Sequence, residues 1–188
     1  MAINIRVYAN DSLDDFTKAF AEDDKLDTGS LNAAAAAFAA ALFSRCAKAA
    51  PPCARQEYLV RNAEILRTYF LHLVDDDLKA RSGYRKELKN GDADKIEAAI
   101  HPACTINEEI INMLHQMMEL GLELRKLIPE DYRHYLKEMA DISLGIIKSC
   151  IAWLLNITSK CTDETYKFVV KRENEITLSQ VIELYEQY

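Results

Sequence analysis

The sequence predicts an all-α protein, a single up-and-down bundle of six to eight helices spanning residues 1–188. Three observations predict it. Glycine and proline number only five and four, too few for a sandwich or barrel, which turns every few residues. Apolar residues recur at three- and four-residue steps over long stretches, the period of one helix face. The run from Ala33 to Ala41 is broken only by Phe38, and alanine is the best helix former. A chain of 188 residues is long enough to bury a core as one domain. Apart from the alanine run, no repeat, low-complexity linker or composition shift divides it.

Taken in order, residues 1–10 carry the alternation Ile3, Ile5, Val7, which reads as a short strand or an ordered arm. Ser12 with an acid at Asp15 marks a helix start, and Leu13, Phe16 and Phe20 share one face to about Glu22. The central element is the helix from Ser30 to about Ala49, with Ser30 or Thr28 as its cap. Small side chains all round predict a central helix covered on every side. Pro51 and Pro52 stop it. A long helix follows over 54–89, with Tyr58, Leu59, Ile65, Leu66, Tyr69, Phe70, Leu73 and Val74 on its apolar face. Asn90 and Gly91 end it, since both accept left-handed backbone. A short helix is expected over 92–100, broken at His101–Pro102. The capping pattern Thr105 to Glu108 starts another over 107–127. Beyond Pro129 a helix runs over 130–159. Thr162 caps a further stretch to Lys171, and Thr177 to Gln180 cap the last helix, which carries Tyr185 and Tyr188.

Composition narrows the function. The net charge is −7 and no lysine/arginine-rich run stands out, so nucleic acid is not an expected partner. No signal peptide is apparent, and the most apolar stretch, 142–157, is interrupted by Lys148 and Asn156, so no membrane association is expected. The five cysteines, at 46, 53, 104, 150 and 161, are odd in number and follow no metal spacing. They point to a reducing, cytoplasmic setting. The four histidines are scattered, with no pair at i, i+4 beside a carboxylate, so no metal site is expected.

The residue types that carry chemistry are few. The Thr28–Asn32 turn would present free N–H groups to an anion at the positive end of the alanine-rich helix. Of Asp75, Asp76 and Asp77, at most two can face inward at 100° per residue, and Asp77 follows Leu73 by one turn. Asp141 lies beside Met139 and Ile142, where an inward or partnered carboxylate is more expected than at Asp75 or Asp76. Lys79, Arg81, Arg85, Lys86 and Lys89 are the densest basic cluster in an acidic chain. Each has a plainer alternative: a core helix, solvated acids, and an exposed charged face.

The order of these segments carries a resemblance. A Gly29–Ser30 turn opens an alanine-rich helix. Leu73 to Asp77 follows, then Ala140–Asp141, then Leu154–Leu155–Asn156–Ile157. This resembles the cyclodeaminase/cyclohydrolase family of tetrahydrofolate enzymes over roughly residues 12–185. That family has a glycine-rich Gly-Ser turn, a Leu-x-Asp-Glu-Asp-Ala segment, a lysine about a dozen residues on, Ser-Asp-Ala-Gly, and Leu-Asn-Val-Arg. The resemblance implies an all-α homodimeric bundle with a folate site near the glycine turn. It implies a tetrahydrofolate derivative as substrate or ligand and no tightly bound cofactor. It assigns catalysis to Asp77 and Asp141, and ligand binding to Thr28, Gly29, Ser30, Lys86, Lys89 and Asn156. A folate tail is a string of carboxylates, and the basic cluster is its natural dock. Asp141 and Asn156 are fifteen residues apart, about 22 Å along one helix, so either they take different roles or a dimer brings opposite helix ends together.

Here the glycine triplet is reduced to Gly29, the Ser-Asp-Ala-Gly segment reads Ala140–Asp141–Ile142–Ser143, and Thr158 stands where the family has arginine. Two functions therefore stand side by side. One is a methenyltetrahydrofolate cyclohydrolase or formiminotetrahydrofolate cyclodeaminase. The other is a non-catalytic helical dimer that kept the fold and binds another small molecule or a protein.

Overall fold

The computed structural model describes residues 8–22 and 26–188. Among them there are six α-helices, two short 3-10 turns and no strand: α1 (Leu13–Glu22), α2 (Thr28–Ala49), α3 (Ala54–Asn90), α4 (Ala93–Arg125), α5 (Arg133–Thr158) and α6 (Glu164–Tyr185). The turns are Tyr8–Asn10 and Glu130–Tyr132. The expected strand or arm at Ile3–Val7 lies outside the described residues.

The core forms around α2, which packs on α3, α5 and α4, while α6 lies against α5 and the edge of α4. The alanines explain the arrangement. Ala33, Ala36, Ala39 and Ala40 are fully buried, and side chains this short let the neighbouring axes come close. Phe43 and Cys46 continue the buried face. The expected cover on every side is corrected: Leu31, Phe38, Ala41, Arg45 and Lys48 form an exposed stripe, with Phe38 57% exposed.

In α3 the inward stripe is Leu59, Ala63, Phe70, Leu73 and Val74, continued by Asp77, Arg81 and Tyr84. Tyr58 and Ile65, expected on that stripe, are exposed. Gly91 closes the helix at φ 73°, and its N–H donates to Glu87 O. Glycine reaches that left-handed conformation without a Cβ penalty.

Several predicted boundaries are corrected. Residues 93–125 are one helix through Pro102, not two helices broken at His101. The proline is exposed, so the carbonyl it leaves without an N–H partner faces water. Ile100, Ala103, Cys104 and Ile106 are buried on either side of it and hold the backbone on course. Thr105 is accordingly no cap; its hydroxyl donates to His101 O at 3.4 Å. Thr177 lies inside α6, whose cap is Asp163 rather than Thr162; its carboxylate accepts from Thr165 N and Tyr166 N. The cap of α2 is Asp27, not Ser30 or Thr28. Residues 130–132 form a 3-10 turn before α5.

By length and hydropathy alone, α2 and the segment 130–158 are long and apolar enough to cross a membrane. In the fold the two helices pack on each other at the bundle centre. At the far end Tyr188 folds back, and its hydroxyl donates to Met118 O above Gly121. A Cβ at Gly121 would meet that hydroxyl at 2.1 Å.

Candidate active site at the head of α2

The first turn of α2 meets the middle of α3, and a buried carboxylate joins them. Asp77 is 0% exposed. Its Oδ2 accepts from Ser30 N at 3.1 Å and from Ser30 Oγ at 3.0 Å, and the same hydroxyl lies 3.0 Å from Val74 O. Its Oδ1 faces Gly29, where a Cβ would come within 2.1 Å of it. Any residue but glycine would push the carboxylate away from the α2 backbone. This close approach is what requires glycine at position 29.

One turn on from Asp77, Arg81 is also buried, its side chain 5% exposed. Its guanidinium lies between two acids: Nη1 is 3.4 Å from Asp77 Oδ2, and Nη2 bonds Asp27 Oδ2. Arg85 stands 3.8 Å from the same Asp27 oxygen. Trp153 of α5 lies against Arg81, with the guanidinium carbon 4.3 Å from the ring centroid. Below them Asn32 Nδ2 donates to Cys150 Sγ at 3.2 Å.

The electrostatics follow from burial and pairing. Burial pushes the Asp77 carboxyl above the usual aspartate range, and Arg81 and Ser30 offset this only in part. Burial of Asp27 works the same way, but there the Thr28 N–H and Arg81 outweigh it and hold the carboxyl low. Burial pushes the Cys150 thiol up to about 12; the Asn32 bond opposes the rise, and the nearby charge of Asp77 adds to it. A buried carboxyl with raised proton affinity beside one held ionised is an arrangement suited to moving a proton.

The positions expected from the sequence divide into two groups. Asp77, Gly29 and Ser30 come together, with Thr28 next to them through its N–H bond to Asp27 Oδ1 at 2.6 Å. Three of the N–H groups expected to be free have partners. Asp27 and Asp77 take those of Thr28 and Ser30, and Leu31 N donates to Asp27 O. The seat for an anion is filled by the protein's own carboxylates.

Asp141 is not part of this cluster. Its side chain is 51% exposed, bonds Lys137 Nζ at 2.9 Å and accepts from Tyr185 Oη, tying α5 to α6. It precedes Trp153 by twelve residues, about 18 Å along α5. Of the expected inward or partnered carboxylate, Asp141 is the partnered kind, and the inward acids are Asp77 and also Asp75, which accepts from Tyr8 N at 2.8 Å. The hydrogen bonds from Tyr185 and Lys137 hold the Asp141 carboxyl below the usual range, the opposite of Asp77.

Lys86 and Lys89 are exposed near the end of α3, and Asn156 is exposed on α5, three residues on from Trp153. The basic cluster is therefore split, with Arg81 inside, Lys79 paired to Asp76 at 2.6 Å, and the later lysines outside. Sequence reasoning missed Asp27, Trp153 and the inward turn of Arg81. The signal for Arg81 was its i, i+4 spacing from Asp77.

No protein-family model matches the chain, and no curated protein sequence matches it. Among solved structures it is similar to the formiminotetrahydrofolate cyclodeaminase of Thermotoga maritima, at a TM-score of 0.87 and 18% sequence identity. The likeness covers 95% of this chain and 93% of that one. Over that 95% the chain thus has the fold of a formiminotetrahydrofolate cyclodeaminase, the fold that the order of its motifs implied.

Proposed function

We propose that the chain is a one-carbon tetrahydrofolate enzyme, acting as a methenyltetrahydrofolate cyclohydrolase or a formiminotetrahydrofolate cyclodeaminase. One observation carries the reading: within a cyclodeaminase fold, a fully buried carboxyl, Asp77, sits on the glycine at the head of the central helix. Hydrolysis of a methenyl bridge adds water to the bridge carbon, breaks one C–N bond and returns a proton to the released nitrogen. Closure of a formimino group forms the bridge and expels ammonia. Each needs one group that takes a proton and gives it back, the role proposed for Asp77. Ser30 holds that carboxyl against Gly29, Thr28 adjoins it through Asp27, and the three border the ligand. Lys86 and Lys89 suit the carboxylates of a folate tail, and Asn156 hydrogen-bonds the ligand. The substrate arrives from solution, and no tightly bound cofactor is needed.

The reading includes a homodimer, because Leu31 and Phe38 on α2 and Leu155 on α5 are exposed apolar side chains on the two central helices. It also includes a cytoplasmic setting, in keeping with five unpaired cysteines. A second reading, a non-catalytic bundle that binds another molecule, is favoured by the complete burial of Asp77 and the occupied N–H groups of the α2 turn.

Loss of methenyltetrahydrofolate absorbance, and ammonia release from the formimino derivative, test the activity. Turnover above a buffer blank is expected in one assay, with a fall of at least about a hundredfold in Asp77→Asn. No rate above the blank in either assay would leave the second reading.

A further inference from the structure

A cavity of about 280 Å³ lies between α2 and α3, under the Tyr8–Asn10 turn and the start of α1. Its size suits a small ligand. Ala34, Ala37 and Ala41 form one wall at helical spacing, and Leu71 and Val74 form the other. The roof is Phe16 and Tyr8, both buried. Alanine keeps this space open; a longer side chain on that face of α2 would take it up.

The two ends of the cavity differ. Ser30 Oγ meets Val74 O at 3.0 Å, so Val74 lies toward the head of α2. Glu64 accepts from Ser44 Oγ at 2.6 Å and from Lys48 Nζ at 2.7 Å, so the turn of α3 that carries Glu64 and Arg67 lies toward the tail of α2. Ala34 to Ala41, like Arg67 to Val74, is a step of seven residues, about 10 Å. A volume of about 280 Å³ over that length leaves a bore close to that of one hydrocarbon chain.

Arg67 marks the Ala41 end. Its Nε donates to Glu64 Oε2 at 2.9 Å, which fixes the plane of the guanidinium. Its two terminal nitrogens have no hydrogen-bond or ion-pair partner among the described residues. The other charged lining residue, Asp11, belongs to the roof, three residues on from Tyr8, whose N–H donates to Asp75 beside Val74. Phe38, 57% exposed, extends the apolar wall at the lip.

We propose that this cavity binds a medium-chain aliphatic carboxylate, its head on the terminal nitrogens of Arg67 and its chain along the alanine wall toward Val74. A guanidinium presents parallel N–H donors in the geometry of a carboxylate. With Nε already bonded, the terminal pair is the edge that remains. The methyl groups of α2 and the branched side chains of α3 suit a chain without polar groups, and one chain matches both the length and the bore. The site is separate from the Asp77 cluster, and the inference stands apart from the folate reading.

The test is calorimetric titration of the full chain with octanoate and with octanol. The parent is expected to bind both, octanoate more tightly. In Arg67→Gln the Glu64 carboxylate keeps Lys48 and Ser44, so the fold is retained. That variant should lose at least about tenfold in affinity for octanoate, the scale of a lost hydrogen bond to a charged group. It should bind octanol as the parent does. Ala41→Leu, at an exposed position, narrows the cavity without entering the core and should weaken both probes. A parent that does not bind octanoate would overturn the proposal, and so would equal binding of octanoate by the parent and Arg67→Gln. So would a parent that binds neither probe and is dimeric by light scattering while Ala41→Leu is monomeric; the cavity would then seat a second copy of the chain. None of these results bears on folate turnover, so the two readings fail separately.

Discussion

Replacing Gly29 by alanine tests the central contact of the fold. The new Cβ would lie 2.1 Å from Asp77 Oδ1, 2.6 Å from its Cγ and 2.9 Å from Oδ2. Those atoms are not the loose end of a flexible side chain. Oδ2 is held by Ser30 N and Ser30 Oγ at about 3 Å and faces Arg81, all of them buried. Relief therefore requires either that α2 and α3 move apart or that the carboxylate gives up a bond. Overpacking a core site costs about 1–3 kcal/mol. The other route, loss of one hydrogen bond to a charged group, costs about 1.5–3 kcal/mol. Either way a cost of about 2 kcal/mol corresponds to a fall of roughly 4–8 °C in melting temperature for a chain of this size. Circular dichroism melts of parent and variant measure it. In Gly29→Ala with Asp77→Ala the carboxylate is gone, so the double variant should be less destabilised than the sum of the two single ones. A Gly29→Ala protein that melts within about 1 °C of the parent would refute the contact.

Pro102→Ala restores a missing N–H at an exposed helix position, and a gain of about 1–3 kcal/mol in urea unfolding is expected; a loss would mean that the ring packs. The Glu64 carboxyl is lowered to about 2, chiefly by the Lys48 bond and then by Ser44 and Arg67. Its folded value lies below its unfolded one, so its contribution is present above pH 4.5 and fades as pH falls toward 2. Glu64→Gln should therefore melt below the parent at pH 7 and converge with it near pH 2, and a constant gap would contradict this. Asp141→Asn should shift the melt by no more than about 2 °C and turnover by less than about threefold, as for an exposed ion pair. A hundredfold loss would bring Asp141 into the chemistry.

What the sequence made legible was whatever repeats with the helix. The alanine run and the apolar stripe of 54–89 identified α2 and α3, because burial of one face is written in the spacing of residues. Boundaries at Ser12, Pro51 and Gly91 were legible because each residue acts locally. Pro102, Thr105 and Thr177 misled for the complementary reason. Their local signals are real, but the apolar residues on both sides, Ile100 and Cys104 in α4 and Val170 and Val181 in α6, are buried and carry the helix through. At the site, Asp77 was legible from its one-turn spacing after Leu73. The partners of Asp77 were not. Asp27 and Trp153 reach the cluster through tertiary packing, and no pattern along the chain joins residue 27 to 81 or 81 to 153. Asp141 misled because apolar neighbours in sequence do not say which side of a helix faces the core.

The head of α2 also decides what charge a ligand must bring. A helix start carries about half a positive charge and attracts anions. Here Asp27 and Asp77 already answer it, and Arg81 lies between them. With both carboxyls ionised the three side chains sum to one net negative charge; with Asp77 protonated they sum to zero. Under the proposed reading, a methenyl bridge brings a delocalised positive charge into this setting and favours the ionised form of Asp77. Attack of water removes that positive charge as it releases a proton. The same burial that raises the Asp77 carboxyl then favours its taking the proton up. When the C–N bond opens, the freed nitrogen takes that proton, the adduct's hydroxyl proton leaves as the formyl carbonyl forms, and one proton passes to solvent overall. The affinity of Asp77 for a proton thus follows the charge on the bridge carbon at each stage. Under the proposed reading, the one buried carboxyl of this cluster serves both transfers, while Asp141 stands about 18 Å away along α5 from Trp153.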